Sequence, residues 1–160
     1  MGAKTLANPF IAMDASVVET TEEELPYLEE YAWDFEHNCF RYDKNGNHII
    51  VTETEAIKVW VYKCLKCERF LYNVYRHGVY NDRCNYGVWL EKYIGKNPND
   101  EKTASAVRKE IRAAILANPY IETIDYLEIA SLDGDTLTLN MGLTSIYGSL
   151  EMRGLEIVRD

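Results

Sequence analysis

The pattern of apolar and polar positions separates a short N-terminal part from a longer part with regular periodicity. Residues 1–30 follow neither the period of a helix nor that of a strand, and their acidic run stops at Pro26. A segment of this composition buries too little apolar surface to fold by itself. We therefore predict that residues 1–30 form an acidic arm that is extended or disordered when free. Residues 31–160 carry the periodic patterns and are predicted to fold as one domain.

Two helices are predicted in the longer part. The first begins after Thr52 or Thr54, either of which can cap it, and runs to about Cys67. Its apolar residues recur at intervals of three and four positions and therefore form one face. The second helix begins near Asp100 or Thr103 and ends ahead of an Asn-Pro pair, because proline interrupts a helix.

The remaining periodic segments predict strands, with Asn-Gly and Asp-Gly pairs marking two turns. Extended segments are predicted at residues 33–42, 48–51, 70–75, 121–129, 136–144 and 150–158. The last of these would offer a sheet edge for strand addition. The predicted fold class is α+β: two main helices packed on a small mixed, largely antiparallel sheet, with an extended acidic N-terminal arm.

Composition excludes several classes of protein. The chain has 160 residues, 47% of them hydrophobic, and a formal net charge of −9. These values support a single domain with its own core. No stretch reaches the roughly 18 apolar residues of a membrane span, and no apolar signal-peptide block follows Met1, so we expect neither a membrane span nor a secretory signal. An acidic chain is poorly suited to a phosphate backbone, so no nucleic-acid partner is expected.

Charge is segregated along the chain. Residues 5–40 hold nine acidic and no basic side chains, residues 58–112 hold six acidic and 12 basic ones, and residues 113–160 hold eight acidic and two basic ones. Such blocks form solvated faces in many proteins. They also give electrostatic complementarity between neighbouring subunits, and unlike surfaces favour head-to-tail contacts that close into rings. The charge pattern alone leaves both interpretations open.

Cys64 and Cys67 form a C-x-x-C pair inside the first predicted helix, and Cys39 and Cys84 lie elsewhere. A structural zinc site needs four ligands, normally from two spaced pairs, and the second pair is missing. Cysteine is often a buried apolar residue, so structural thiols are favoured, and no metal or cofactor is expected. The alternative is a small zinc-binding adaptor that uses Cys64, Cys67 and Cys84.

Recognisable catalytic motifs are missing from the sequence. No G-x-S-x-G, G-x-x-x-x-G-K-[ST] or G-x-G-x-x-G occurs. Acidic residues are numerous, but a carboxylate pair acts only when its two carboxyl groups face each other across a cleft, about 5–10 Å apart. Spacing along the sequence does not specify that distance. We therefore predict no catalytic residues and no enzymatic activity.

Glu68 and Arg69 stand where the first helix ends and a strand begins. Two interpretations have equal support: an exposed ion pair that contributes about 0–1 kcal/mol, or a planar arginine that anchors a partner or fixes the corner. Tyr72 and Tyr75 lie on opposite faces of the strand that follows, so one is expected in the core and the other on the surface. Tyrosines are frequent anchors of protein interfaces.

Several segments, in a fixed order, resemble a known family. They are residues 31–36 (YAWDFE), 54–56 (TEA), 63–75 (KCLKCERFLYNVY), 92–96 (KYIGK), 108–119 and 137–148. The set resembles the small baseplate protein of contractile phage tails and defective prophages. That protein belongs with the tail-lysozyme-like baseplate wedge proteins and their counterparts in tail-like bacteriocins and type VI secretion. The resemblance covers about residues 31–150.

The resemblance implies a structural subunit of a contractile-tail baseplate, in which a wedge-like domain over residues 31–160 links wedge components to the tube and sheath. It implies other wedge proteins, tail sheath and tube or hub proteins as partners in a six-fold hetero-assembly. The implied location is the tail baseplate of a virion or phage-tail-like particle assembled in the bacterial cytoplasm. In that family the Glu-Arg corner docks sheath or baseplate components, so the predicted partner interface comprises Glu68, Arg69, Tyr72 and Tyr75. The family's name suggests one alternative, a peptidoglycan-degrading tail-associated hydrolase.

Overall fold

The computed structural model describes residues 25–69, 86–93, 96, 100–133 and 135–158. In the described ranges, four short strands precede the first helix, namely β1 (Glu29–Tyr31), β2 (Trp33–Asp34), β3 (Cys39–Phe40) and β4 (Ile50–Thr52). The later elements are α1 (Glu53–Lys66), a 3₁₀ turn (Glu91–Tyr93), α2 (Glu101–Ile115), β5 (Ile121–Asp133), β6 (Thr136–Ser145) and β7 (Gly148–Val158).

The four short strands form two small antiparallel sheets, β1 with β4 and β2 with β3. The predicted Asn-Gly turn between β3 and β4 is closed by Asp43, whose carboxylate accepts hydrogen bonds from the N–H groups of Asn45 and Asn47, each at 2.8 Å. These bonds, that from Asn47 first, hold the pKa of Asp43 below its usual value of 3.8. Gly46 takes φ +84°, which glycine adopts without steric cost.

Helix α1 has nearly the predicted boundaries. Its N-cap residue Thr52 is extended, Glu53 and Glu55 lie in the first turn, and Lys63 and Lys66 lie in the last turn. Acidic side chains near the N-terminus and basic ones near the C-terminus interact favourably with the helix dipole. The residues that α1 buries are Ala56, Ile57, Val59, Val61, Tyr62, Cys64 and Leu65.

Helix α2 begins after one of the two predicted caps. The carboxylate of Asp100 accepts hydrogen bonds from the N–H groups of Lys102 at 3.4 Å and Thr103 at 3.2 Å, and from the Thr103 hydroxyl at 2.9 Å. These bonds, that from the hydroxyl first, lower the pKa of Asp100 from its usual 3.8. The residues that α2 buries are Val107, Ile111, Ala114 and Ile115.

The C-terminal strands form one antiparallel sheet in the order β5-β6-β7, joined by two consecutive hairpins. Both helices contact this sheet, α1 at β7 and α2 at β5. The alternation predicted for β6 is present, since its apolar residues are buried and its threonines and asparagine are half-buried. The largest fully buried side chains of the core include Ile57, Leu65, Ile111, Ile115, Leu139, Met141, Leu143 and Ile157.

Two local features shape this sheet. The ring of Tyr126 lies over Gly142 on the polar face, where a Cβ at Gly142 would come within 2.6 Å of Tyr126 Cε1. The β6–β7 register shifts beside Asn140, so that Arg153 and Gly154 together stand opposite it as a bulge. Gly154 takes φ +62°, and its N–H donates to Asn140 Oδ1 at 2.8 Å.

The start of the described chain is tied to the C-terminal half. The N–H of Leu28 donates to the hydroxyl of Tyr147 at 3.1 Å, and the hydroxyl of Tyr120 donates to the carbonyl of Pro26 at 2.6 Å. Burial raises the pKa of Tyr120. The last residues of the predicted arm therefore contact the domain: Glu29 and Glu30 pair with β4, and Leu28 is half-buried. The rest of the arm lies outside the described residues, so its separation from the domain stays a prediction.

The predicted α+β class, with two main helices on a largely antiparallel sheet, is confirmed. Within the described ranges, the parallel pairing is an isolated bridge between Glu68 and Val88. The strand predicted at residues 70–75 lies outside these ranges. Neither of the two described helices is long and apolar enough to cross a membrane.

Candidate interaction surfaces

Helix α1 ends at a corner held by backbone hydrogen bonds. The N–H of Cys67 donates to the carbonyl of Lys63 at 3.0 Å and ends the helix. The chain then runs beside Val88, whose N–H donates to the Cys67 carbonyl at 3.0 Å and whose carbonyl accepts from the Arg69 N–H at 3.4 Å. The corner is therefore joined to a segment about 20 positions further along the chain.

The side chain of Arg69 adds to the corner. Its Nε donates to the carbonyl of Gly87 at 3.0 Å. Gly87 has φ +88°, and a Cβ there would lie 2.7 Å from the Cys67 carbonyl oxygen and 3.2 Å from the Arg69 nitrogen. Glycine is required for this close approach. The geometry agrees with an arginine that fixes the corner, which was one of the roles predicted for it.

The predicted partner interface is described only in part. Glu68 and Arg69 are half-buried at the corner. Tyr72 and Tyr75 lie outside the described residues. The docking role of these four residues therefore stays a prediction.

The described thiols differ in burial. Cys64 is fully buried in the core, Cys39 is exposed, and Cys67 is half-buried with its Sγ 3.7 Å from the carbonyl oxygen of Glu68. In the ranges that the structure covers, no three His, Cys, Asp or Glu side chains are grouped as metal ligands would be. Cys84, the third thiol of the zinc alternative, lies outside those ranges.

A groove of about 530 Å³ runs along β7, between that strand, helix α1 and the β2–β3 turn. Its helical wall consists of Lys58, Tyr62 and Lys66, which share one helix face because they are four residues apart. Asn38 of the turn accepts hydrogen bonds from the Tyr62 hydroxyl at 2.6 Å and from Lys66 Nζ at 3.1 Å. These bonds join the turn to the helix and fix the width of the groove.

The strand wall of the groove is the outer strand of the main sheet. β7 pairs with β6 on one side, and among the described residues no strand pairs with its other side. Unpaired N–H and C=O groups along such an edge are a template for a further strand. The bulge at Arg153 and Gly154 divides the edge into residues 148–152 and 155–158, because a bulge interrupts regular pairing.

The carboxylates of the groove are exposed to solvent. Glu36, Glu151 and Glu156 line it and are all exposed. Arg153 Nη2 lies 3.0 Å from Glu151 Oε2, and this carboxylate raises the pKa of Arg153. A carboxyl group that serves as a general acid normally has its pKa raised by burial, which exposure does not provide. The groove is better suited to hold an extended peptide than to perform acid–base chemistry.

The sequence predicted the β7 edge but not the groove beside it. The groove walls come from residues 35–38, 58–66 and 151–158, which are distant along the chain. The local signal was the spacing of four residues between Lys58, Tyr62 and Lys66, which places a tyrosine between two lysines on one side of α1.

Comparison with known families gives one match. Residues 29–148 match the family model described as the contractile injection system sheath initiator. The match begins at the first residue of β1 and ends at the first residue of β7, so it includes the corner and both helices. No curated protein matches the chain.

Proposed function

The chain belongs to the family of contractile injection system sheath initiators, and we propose that it is the structural subunit at which a baseplate meets its first sheath subunits. In this proposal it links wedge components to the tube and sheath of a phage tail or phage-tail-like particle. It acts as one component of a six-fold hetero-assembly. It binds its neighbours and performs no catalysis.

The observation that carries the proposal is the edge of β7 beside the groove, with which no strand of the described residues pairs. Residues 155–158 follow the bulge and continue as regular strand, so an added strand could pair with them. Backbone hydrogen bonds would supply affinity, and the α1 wall would receive every second side chain of the added strand. A sheath subunit that contributes such a strand would begin the sheath at a fixed position.

The charges of the groove would set the register of that strand. Lys58 and Lys66 stand on the helical wall, and Glu156 stands on the strand wall. An incoming strand with acidic side chains towards α1 and a basic one towards Glu156 would match both walls. Complementary charges fix register and partner choice more than they add affinity.

The corner is the second element of the proposal. Arg69 and Glu68 are held at the end of α1, and a preorganised arginine loses little conformational freedom when a partner binds. With Tyr72 and Tyr75 on the adjoining segment, they would contact a baseplate neighbour. The resemblance described above motivates this assignment.

The test uses the full chain and the purified sheath protein of the same particle. We expect substoichiometric amounts of the chain to shorten the lag before sheath polymers form. We also expect amide hydrogen exchange of residues 150–158 to slow when sheath protein binds. The N–H groups on the free side of β7 would then donate hydrogen bonds to the added strand, which protects them from exchange. Residues 121–129 of β5, at the opposite edge of the sheet, are the internal control and should exchange at an unchanged rate.

Three outcomes would contradict the proposal. They are an unchanged lag, protection of β5 in place of β7, and release of soluble fragments from purified peptidoglycan by the chain alone. The last outcome would establish the hydrolase alternative. One zinc bound per purified chain would establish the adaptor alternative.

A further inference from the structure

A second surface, separate from the groove, is formed by side chains of the small N-terminal sheets. Tyr31, Phe40, Tyr42 and Ile50 are exposed by 51%, 36%, 54% and 57%, and His48 among them is also exposed. We name these five residues the aromatic surface. Exposed apolar clusters of this kind on a small protein mark sites of interaction, and tyrosine is among the residues that anchor them.

The rings of the aromatic surface are arranged around His48. Its imidazole centroid lies 4.8 Å from that of Tyr31, 5.3 Å from that of Phe40 and 4.6 Å from that of Tyr42. Tyr31 and Phe40 meet edge to face at 6.3 Å. The four rings therefore form one contiguous cluster.

Backbone hydrogen bonds hold this cluster in place. The Ala32 N–H donates to the Ile49 carbonyl at 2.7 Å, the Arg41 N–H donates to the Ala32 carbonyl at 2.9 Å, and the Ile49 N–H donates to the Arg41 carbonyl at 3.3 Å. Beneath the surface, Trp33 packs edge to face against Phe40 at 4.7 Å. A cluster fixed in this way is preorganised for binding.

The chain segment that carries the aromatic surface is acidic, although one of its carboxylates, Glu30, is paired with Lys63 of helix α1. Residues 25–55 carry seven acidic and two basic side chains, a net charge of −5 with histidine neutral. Glu29 precedes Tyr31 by two residues in β1, so both side chains project from the same exposed face. One of the two bases, Arg41, is paired with Glu55 at 3.2 Å.

The lysine–ring contacts of the described chain lie at other rings. Lys66 Nζ stands 4.8 Å from the Tyr62 ring centroid, and Lys92 Nζ stands 4.7 Å from that of Trp89 and 5.1 Å from that of Tyr93. The exposed rings of the aromatic surface are thus accessible to a cation supplied from outside. Aromatic faces attract guanidinium and ammonium groups, and surrounding carboxylates strengthen that attraction.

We propose that the aromatic surface binds a cationic segment of a partner protein, whose arginine or lysine side chains stack on Tyr31 and Tyr42. This interface is additional to the strand edge of β7. The two protein contacts would differ in chemistry. The aromatic surface would bind through side-chain stacking and charge, whereas the edge of β7 would bind through backbone hydrogen bonds.

The test measures binding of short synthetic peptides by calorimetry at low salt. The probes are a peptide that alternates glycine and arginine, its citrulline counterpart with the same shape and no charge, and its glutamate counterpart. We expect the arginine peptide to bind at least about tenfold more tightly than the other two and to weaken as salt rises. Tyr31→Ala and Tyr42→Ala should each weaken it about threefold to tenfold, the size of one or two lost cation–ring contacts.

Trp89→Ala is the matched control. Trp89 is exposed by 45%, but Lys92 Nζ already stands 4.7 Å from its ring centroid, so its removal should leave peptide binding unchanged. Thermal unfolding of each variant separates lost binding from lost folding. Equal binding of the arginine and citrulline peptides would overturn the proposal. So would displacement of the arginine peptide by peptidoglycan fragments, or a dimer of the chain that Tyr42→Ala converts to monomer.

Discussion

The Nε atom of Arg69 lies 3.0 Å from the carbonyl oxygen of Gly87, so a side chain predicted to bind a partner is also bonded within its own chain. The bond connects the end of α1 with the segment that leads into the 3₁₀ turn. The same residue can therefore stabilise the corner and present it to a neighbour, and substitutions separate the two roles.

We expect Arg69→Ala to reduce the seeding of sheath assembly far more than it reduces stability. Loss of the Nε hydrogen bond costs on the order of 1 kcal/mol of unfolding free energy, which a folded domain tolerates. Seeding lag and urea unfolding of the same protein preparation measure the two effects. If the lag matches that of the unsubstituted chain, Arg69 has only a structural role.

Gly87→Ala should destabilise the chain more than Gly46→Ala does. The two glycines have nearly the same φ, +88° and +84°, but a Cβ at Gly87 meets the Cys67 carbonyl oxygen at 2.7 Å, while a Cβ at Gly46 meets nothing within 4 Å. The left-handed backbone costs each alanine about 1–2 kcal/mol, and the clash at residue 87 adds to it. Urea unfolding of both variants checks this, and equal losses would show that the corner adjusts freely.

Gly142→Ala should lower the unfolding free energy by about 1–3 kcal/mol, because its Cβ would overlap the ring of Tyr126. The Tyr126→Ala background removes the overlapping ring. In that background the same substitution should cost much less, so a double-mutant cycle measured by urea unfolding gives a large coupling. Additive effects would mean that the ring moves aside without cost.

The stability contributed by Asp100 should disappear in acid. Its pKa is lowered in the folded chain, by the Thr103 hydroxyl first. A carboxyl group with a lower pKa when folded stabilises the fold above its unfolded pKa, and that contribution is lost as the pH falls through the folded pKa. The difference in unfolding free energy between the unsubstituted chain and Asp100→Asn should thus be largest near neutral pH and shrink below about pH 3.8.

Thr103→Ala is the control for this pH dependence. It removes the first cause of the lowered pKa, so the change in unfolding free energy caused by Asp100→Asn should vary less with pH when residue 103 is alanine. Urea midpoints across a pH series provide the measurement. The same pH profile with and without the Thr103 hydroxyl would contradict the assignment.

The helices and the C-terminal strands were predictable because their signals are local. The cap at Asp100 acts within three residues of itself, and the alternation that marks β6 lies entirely inside that strand. Such features depend on neighbours in the sequence. Their boundaries in the structure therefore differ little from the predicted ones.

The first strand and the groove were not predictable in the same way, although β2, β3 and β4 overlap the extended segments predicted at residues 33–42 and 48–51. β1 has three residues, which are too few to show a period. It is a strand because it pairs with β4, where Tyr31 lies opposite Ile50. The groove depends on Asn38, which meets Tyr62 and Lys66 only after α1 has packed. Tertiary contacts decide both features, and a single sequence does not record them.

The family, like the helices and C-terminal strands, was predictable from local sequence motifs, whereas the partner contacts were not. The ordered motifs placed the chain in contractile-tail baseplates, and the sheath-initiator match supports that level. The narrower wedge assignment, and the docking role of Tyr72 and Tyr75, remain predictions. Motif order identifies a lineage, whereas contacts depend on surfaces that only an assembled particle brings together.

The hydrogen bond between the Leu28 N–H and the Tyr147 hydroxyl has a consequence for synthesis of the chain. The two residues are 119 positions apart, so Leu28 leaves the ribosome long before Tyr147 is synthesised. At roughly 5–20 residues per second, this delay is on the order of 6–24 s. During that interval the small N-terminal sheets have their own hydrogen bonds, such as that from the Ala32 N–H to the Ile49 carbonyl, but they lack the contact between Leu28 and Tyr147.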